Sequence, residues 1–251
     1  MFAGMTSSGA NERETARGAW PAWRVTHVDA TGSTNADLLA EARAGAAAGL
    51  VRVAAFQSAG RGRLGRVWAA APGDCLLVSV LLRPDRASEL HRLTQAVALA
   101  AADACAVVGG FRPELKWPND LLVNERKLAG ILAESLVEGG SVAAVVVGMG
   151  LNVRAAPPGA ISATEAAGRD VQRLDLLDAF LDALSRLDPV AVAARYRSEL
   201  ATIGRWVRVD RQGGVIEGRA VDVATDGCLL IEGADGARTE IAAGDVIHLR
   251  G

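Results

Sequence analysis

The first 19 residues show no apolar periodicity, and the chain then settles into short alternating runs. Apolar and polar positions alternate from Trp23 to Asp29, and the polar turn Thr31-Gly32-Ser33-Thr34 breaks the alternation. Leu38, Leu39 and Ala42 then share one helical face over 35–44, with Ser33 or Thr34 placed to cap that helix and Asp37 in its first turn. Leu50 to Phe56 reads as a second strand, 57–74 as a long loop rich in Gly and Arg, and Cys75 to Arg83 as a third strand. Helical spacing returns over 87–108, and four short apolar strands follow at 115–117, 121–123, 128–135 and 142–149. The pattern predicts an α+β fold, a largely antiparallel or mixed sheet with helices on one face.

Residues 152–173 lose periodicity and read as a loop, and 174–187 and 190–203 read as two helices separated by Asp188-Pro189. Beyond Gly204 come five short strands, punctuated by Gly213-Gly214, Asp226-Gly227, Asp235-Gly236 and Gly244-Asp245. The expected division is a disordered tail over 1–19, a main domain over 20–203 and a small β domain of SH3-like size over 204–251.

Composition narrows the classes. No apolar run reaches the roughly 18 residues of a membrane span, and the N-terminus lacks the apolar core of a secretory signal, so the cytoplasm is the expected compartment. Cys75, Cys105 and Cys228 stand singly in apolar stretches without metal-ligand spacing and read as buried thiols. A net charge of -2 gives no global attraction to nucleic acid, so any anion site must be local.

The charge inventory is lopsided. Of 27 basic residues only two are lysines, Lys116 and Lys127, and they lie in one segment, whereas arginines run from Arg13 to Arg250. A compact ammonium fits beside a reacting phosphate or carboxylate where a wide guanidinium does not, which marks both lysines as functional candidates.

The loop Gly60-Arg61-Gly62-Arg63-Leu64-Gly65-Arg66-Val67-Trp68 satisfies three glycine-rich patterns, and context removes each. A dinucleotide fold needs a crossover helix, but Pro72-Gly73 follows too soon. A kinase needs H-R-D and D-F-G, which are missing, and a P-loop needs Lys and a hydroxyl where Arg66-Val67 stand. What remains is backbone free to approach a ligand and three positive charges in six residues with no acid nearby in sequence, a loop suited to enclosing a phosphate-bearing ligand. Trp68 at its end suggests an apolar wall.

In Leu115-Lys116-Trp117-Pro118-Asn119-Asp120 the proline bends the chain and presents Asn119 and Asp120 at a turn, and Lys127 begins a strand in which Gly130 leaves room for a ligand. Five segments in order, Gly32-Ser33-Thr34-Asn35, Gln57 with the Gly60–Trp68 loop, KWPND at 116–120, KLAGIL at 127–132 and Gly148-Met149-Gly150-Leu151-Asn152, resemble those of biotin protein ligases.

The resemblance implies a class II synthetase-like catalytic domain with a C-terminal SH3-like β-barrel, of the short type without a DNA-binding domain. It implies activation of biotin by ATP and Mg²⁺ to biotinyl-5'-AMP, then transfer to a lysine of a biotin carboxyl carrier protein, by a monomer or weak ligand-linked dimer that binds neither DNA nor membrane. By position, Ser33, Thr34, Asn35 and Gln57, with Arg61, Gly62, Trp68 and Gly130, would bind biotin. Lys127 would bridge its carboxylate and the α-phosphate. Arg63, Arg66, Lys116, Asn119, Asp120 and Asn152 would contact ATP or the adenylate, with Lys127, Arg63 and Lys116 catalytic and Asp120 a possible magnesium ligand. Two alternatives stay open: a lipoate ligase or octanoyl transferase of related fold, and a non-catalytic binder of RNA or biotin.

Overall fold

The computed structural model describes residues 11–12, 20–84, 90–211 and 214–249. The tail expected over 1–19 therefore lies outside the described residues, apart from a two-residue strand. So do the first residues of the helix expected from 87 and the Gly213 half of its turn.

Strand β4 (Cys75–Leu82, CLLVSVLL) is apolar on both faces and buried at every position, which only a central strand covered on both sides can be. It lies inside an eight-stranded sheet ordered β1-β2-β3-β4-β8-β7-β6-β5. The remaining strands are β1 (Asn11–Glu12), β2 (Arg24–Thr31), β3 (Leu50–Gln57), β5 (Glu114–Lys116), β6 (Asp120–Val123), β7 (Arg126–Glu138) and β8 (Ser141–Asn152). Among the described strands of this sheet only β2 and β3 pair in parallel; the other ladders are antiparallel.

Helices cover both faces rather than the single face that the pattern predicts. Helix α1 (Thr34–Arg43) lays Leu38, Leu39 and Ala42 on Leu81, Ala144 and Val146. Across the sheet, α2 (Leu90–Ala104) packs on Leu76, Val78, Val145 and Val147, and α4 (Arg173–Arg186) packs on α2. Helix α4 buries the stripe Leu176, Leu177, Phe180, Leu181 and Leu184, each worth about 1.5–3 kcal/mol against exposure. With the π turn Cys105–Gly109, α2 forms a 20-residue helix long and apolar enough to cross a membrane by length and composition, although polar residues from His91 to Asp103 interrupt it and no unbroken apolar run reaches 18 residues; most of it is buried in the core.

Two further departures come from local chemistry. The stretch read as an uninterrupted loop contains α3 (Ala163–Ala167), whose N-terminus is capped by the Ser162 hydroxyl accepting Glu165 N–H. The second late helix, α5 (Val192–Glu199), is shorter than expected, because Leu200 and Ala201 pair with Leu115 of β5 instead. An ionic cluster ties these parts: Asp103 accepts from Arg112 and Arg195, and Glu199 from the same two arginines.

The C-terminal strands β9 (Trp206–Arg211), β10 (Gly214–Val223), β11 (Leu229–Glu232), β12 (Arg238–Ile241) and β13 (Asp245–His248) form an antiparallel sheet ordered β12-β11-β10-β9-β13. Val207, Val209, Ala220 and Leu229 belong to the same apolar cluster as the main domain. The indole of Trp117 donates to Gly227 O at 2.9 Å, so the smaller sheet is bonded directly to the turn between β5 and β6.

Candidate functional site

A cavity of about 410 Å³ opens where the ends of β3, β7 and β8, the N-terminus of α1, the glycine-rich loop and strand β13 converge. Its polar end is built on α1. Ser33 occupies the N-cap position in extended conformation, yet its side chain makes no capping bond, contrary to the sequence expectation. The free Thr34 N–H donates instead to Gln57 Oε1 at 2.8 Å, and the Thr34 hydroxyl lies 2.9 Å from the same oxygen. A residue at the end of β3 thus caps a helix 23 positions earlier. Because a backbone N–H must meet an oxygen, the Gln57 amide is oriented with its NH₂ as the group left for a ligand.

Asn35 is also at this end, but its carboxamide is engaged by protein: Oδ1 accepts from Ser79 Oγ at 2.6 Å, and Nδ2 donates to Glu134 Oε2 at 2.8 Å. It braces α1 against the sheet. A side chain at Gly148 would collide with that amide, since an added Cβ would lie 2.2 Å from Asn35 Oδ1. Ser79 also touches the Thr34 hydroxyl at 2.7 Å, and sequence reading passed over it. The signal was present, as it is the single polar residue inside an eight-residue apolar strand.

The middle of the cavity is walled by Trp68. Gly130 and Gly150 are cross-strand partners on β7 and β8, and the indole lies against both. A Cβ at Gly150 would sit 2.4 Å from Trp68 Cε2, and one at Gly130 would sit 3.2 Å from Trp68 Cζ3 and from Lys127 Nζ. Bare backbone here therefore seats the indole and the lysine together: the space that Gly130 was expected to leave for a ligand is taken by these two side chains.

Lysines and arginines gather at the other end. Lys127 Nζ is 2.6 Å from Asp120 Oδ1 and 5.8 Å from the Trp68 ring centroid, within cation–π range. Lys116 and Asp120 face each other across β5 and β6. Burial pushes the Lys116 ammonium below the usual lysine range, against the pull of Asp120 and with the push of Lys127. Burial likewise lowers the Arg63 guanidinium, with Asp245 and Asp120 opposing. Arg63 donates to Asn119 Oδ1 at 3.1 Å, while Asn119 Nδ2 holds Ile131 O at 2.7 Å.

The loop arginines have acids within reach after all, brought from distant elements. Arg61 pairs with Glu134 at 2.9 Å, and Arg66 pairs with Asp245 of β13. Sequence reading missed the contribution of the C-terminal sheet, whose Asp210, Asp245, Val246 and Ile247 line the cavity. Gly62 lines it too, through backbone.

Asn152 is the exception among the expected residues. It does not line the cavity; it is buried, its amide directed at Lys127 O (3.4 Å) and Ile161 O (3.3 Å) and its oxygen 3.4 Å from Cys75 Sγ. It joins β7, β8 and the segment before α3. All three cysteines are buried and free, and burial pushes the Cys75 and Cys105 thiols up to about 11 and about 12. Among the described residues no group of three or more His, Cys, Asp or Glu could hold a metal ion.

Comparison with known proteins fits this geometry. A model of the Biotin/lipoate A/B protein ligase family matches residues 29–152, and one of the biotin protein ligase C-terminal domain matches residues 202–249. The chain is 41% identical, over 93% of its length and 92% of the relative's, to a biotin–[acetyl-CoA-carboxylase] ligase of Mycobacterium tuberculosis. The chain belongs to the biotin protein ligase family. The corresponding ligase of Paracoccus denitrificans is 36% identical, over 85% of this chain and 92% of that protein. Biotin protein ligase from Aquifex aeolicus, solved in complex with biotin and ATP, superimposes with a TM-score of 0.72 at 28% identity, covering 90% of this chain and 99% of that one.

Proposed function

We propose that this protein condenses biotin with ATP to biotinyl-5'-AMP, releasing pyrophosphate, and then transfers the biotinyl group to a lysine of a biotin carboxyl carrier domain, releasing AMP. The observation that carries the reading is one cavity with a neutral hydrogen-bonding end and a cationic end, divided by an indole. The ureido ring is neutral and needs paired donors and acceptors in a dry pocket, which Ser33, Thr34 and Gln57 offer, with backbone at Arg61 and Gly62 completing it and Trp68 as wall. Asn35 acts one step back, by holding Ser33 and Thr34 in place.

The carboxylate of biotin must approach an α-phosphate of like charge. Lys127 is the group that can lie between them, released from Asp120 or shared with it. Lys116, Arg63 and Arg66 would take the remaining phosphate charge, with Asn119 orienting Arg63. The biotin carboxylate attacks the α-phosphorus, the bond to the bridging oxygen breaks and pyrophosphate departs. In the second step a neutral amine of the acceptor attacks the anhydride carbonyl, and AMP leaves with the electron pair.

Mg²⁺ fits here as an ion carried in on ATP, where it would lower the charge on the phosphates, because among the described residues no cage of three protein ligands is built and Asp120 already holds Lys127. Asn152 is not assigned to adenine; its role is to anchor the strand from which Lys127 projects. Residues 20–203 and 204–251 would then be two domains that share one site, acting in the cytoplasm.

The test is exchange of labelled pyrophosphate into ATP. Exchange that depends on biotin, and is not supported by lipoate, is the expected result. Exchange driven equally well by lipoate, or none with either acid, overturns the proposal.

A further inference from the structure

The segment between α5 and β9 holds the Lys116 strand from beneath. Ala201 N–H donates to Leu115 O at 2.9 Å, and Trp117 N–H donates to Thr202 Oγ1 at 3.0 Å. The residue between these two clamps is Lys116, and the turn beginning at Trp117 carries Asn119 and Asp120 into the cavity. Thr202 is fully buried, and its hydroxyl lies 3.1 Å from His248 Nε2 of β13, two residues after Val246 in the strand that closes the cavity.

The hydroxyl has one proton and two neighbours. Since Trp117 brings an N–H, Thr202 Oγ1 accepts there, and its own proton is free to go to His248 Nε2. That arrangement needs a neutral ring with its proton on Nδ1. The ring is kept neutral: burial, then the charges of Lys116 and Arg205, push His248 down to about 4 against the opposing charge of Glu125. The Thr202 side chain cannot turn its oxygen away without orphaning a buried N–H.

We infer that Thr202 is a positioning residue: its hydroxyl, oriented by His248, fixes the backbone at Trp117 and thereby sets where Lys116 enters the cavity. The geometric claim stands on its own; its catalytic meaning rests on the function proposed above. A valine in its place matches the shape but offers no acceptor, so the buried N–H must seek another partner and the strand must shift.

The scarcity of lysine supplies a direct reading. Reductive methylation of the full chain with labelled formaldehyde gives lysine NMR signals from Lys116 and Lys127 alone, assigned with Lys116→Arg. In Thr202→Val the Lys116 signal should move and its titration midpoint rise toward the ordinary lysine range, while Lys127 keeps its shift and Thr202→Ser resembles the parent. His248→Leu, which leaves the hydroxyl but removes its acceptor, should move the same signal in the same direction by less, and it serves if the valine variant does not fold. In biotin-dependent pyrophosphate exchange, with unmethylated protein, kcat should fall at least ~10-fold in Thr202→Val, with KM for biotin within about twofold and recovery in Thr202→Ser. If the parent shows no biotin-dependent exchange, the proposed function fails and the lysine signals still decide the positioning. An unmoved Lys116 signal in both Thr202→Val and His248→Leu, or a parental kcat in Thr202→Val beside a lowered Tm, makes Thr202 a structural buttress only and overturns the inference.

Discussion

Arg66 and Asp245 lie 179 positions apart and form an ion pair that fastens the glycine-rich loop to the last strand of the C-terminal sheet. Exposed pairs contribute at most about 1 kcal/mol, so Asp245→Asn should change Tm little. It should, however, free the loop. Trypsin cleavage after Arg61, Arg63 or Arg66 in the ligand-free protein is expected to speed up several-fold, and biotin with ATP should slow it again. Cleavage at the parental rate would show that the pair does not hold the loop.

Gly150 makes the second prediction. A methyl group there meets the Trp68 indole at 2.4 Å, so Gly150→Ala should expel the ring, at a stability cost of about 1–3 kcal/mol. Tryptophan emission should shift to the red and affinity for biotin should fall by at least ~10-fold, readable by calorimetry. Unchanged emission and affinity would mean that the strand yields instead.

Lys127 tests whether an ammonium is needed where a guanidinium would supply the same charge. Gly130 and Trp68 crowd it from two sides, and Asp120 holds it at 2.6 Å. Lys127→Arg, like Lys127→Ala, should slow adenylate formation at least ~10²-fold, about 2.7 kcal/mol of barrier. The ligand-free Tm should stay near that of the parent, and a near-parental rate in Lys127→Arg would remove the lysine from the reaction.

The fourth prediction concerns acid. Burial alone would raise the Asp103 carboxyl, but bonds from Arg195 and Arg112 outweigh it and leave it below the usual carboxylate range. A depressed folded value stabilises the protein above the unfolded value of about 3.9, and this is lost as pH falls through the folded one. Asp103→Asn should therefore lower Tm at pH 7, and the gap from the parent should narrow steadily below about pH 4. A gap that does not change between pH 7 and pH 3 would contradict the ionic role.

Much of the site was legible because close neighbours in sequence carry it. The loop ending at Trp68, the 116–120 turn and Lys127 each announce themselves by composition, and all of them line the cavity. The contacts that complete the site were not legible, since β-pairing and packing join residues far apart: Gln57 capping α1, Glu134 meeting Arg61, and Asp245 meeting Arg66. Asn152 shows the converse limit. Its place in a recognisable segment pointed to a ligand, yet a buried amide with backbone carbonyls in reach satisfies itself within the protein. Strand positions were read to within about three residues at each end, while helix placement on two faces was hidden because β4 is apolar on both faces, Ser79 apart, and its pattern carries no direction.

The position of β13 along the chain has a consequence for how the protein comes into being. Residues from Ser33 to Gly150 supply most of the cavity lining, but Asp210, Asp245, Val246 and Ile247 complete it from the C-terminal sheet. A chain emerging from the ribosome exposes its N-terminal part first. The polypeptide thus lacks this edge, and the clasp on Arg66, until Asp245 itself has emerged, well after the residues from Ser33 to Gly150, so the glycine-rich loop of a nascent chain stays untethered while the rest of its cavity is already in place.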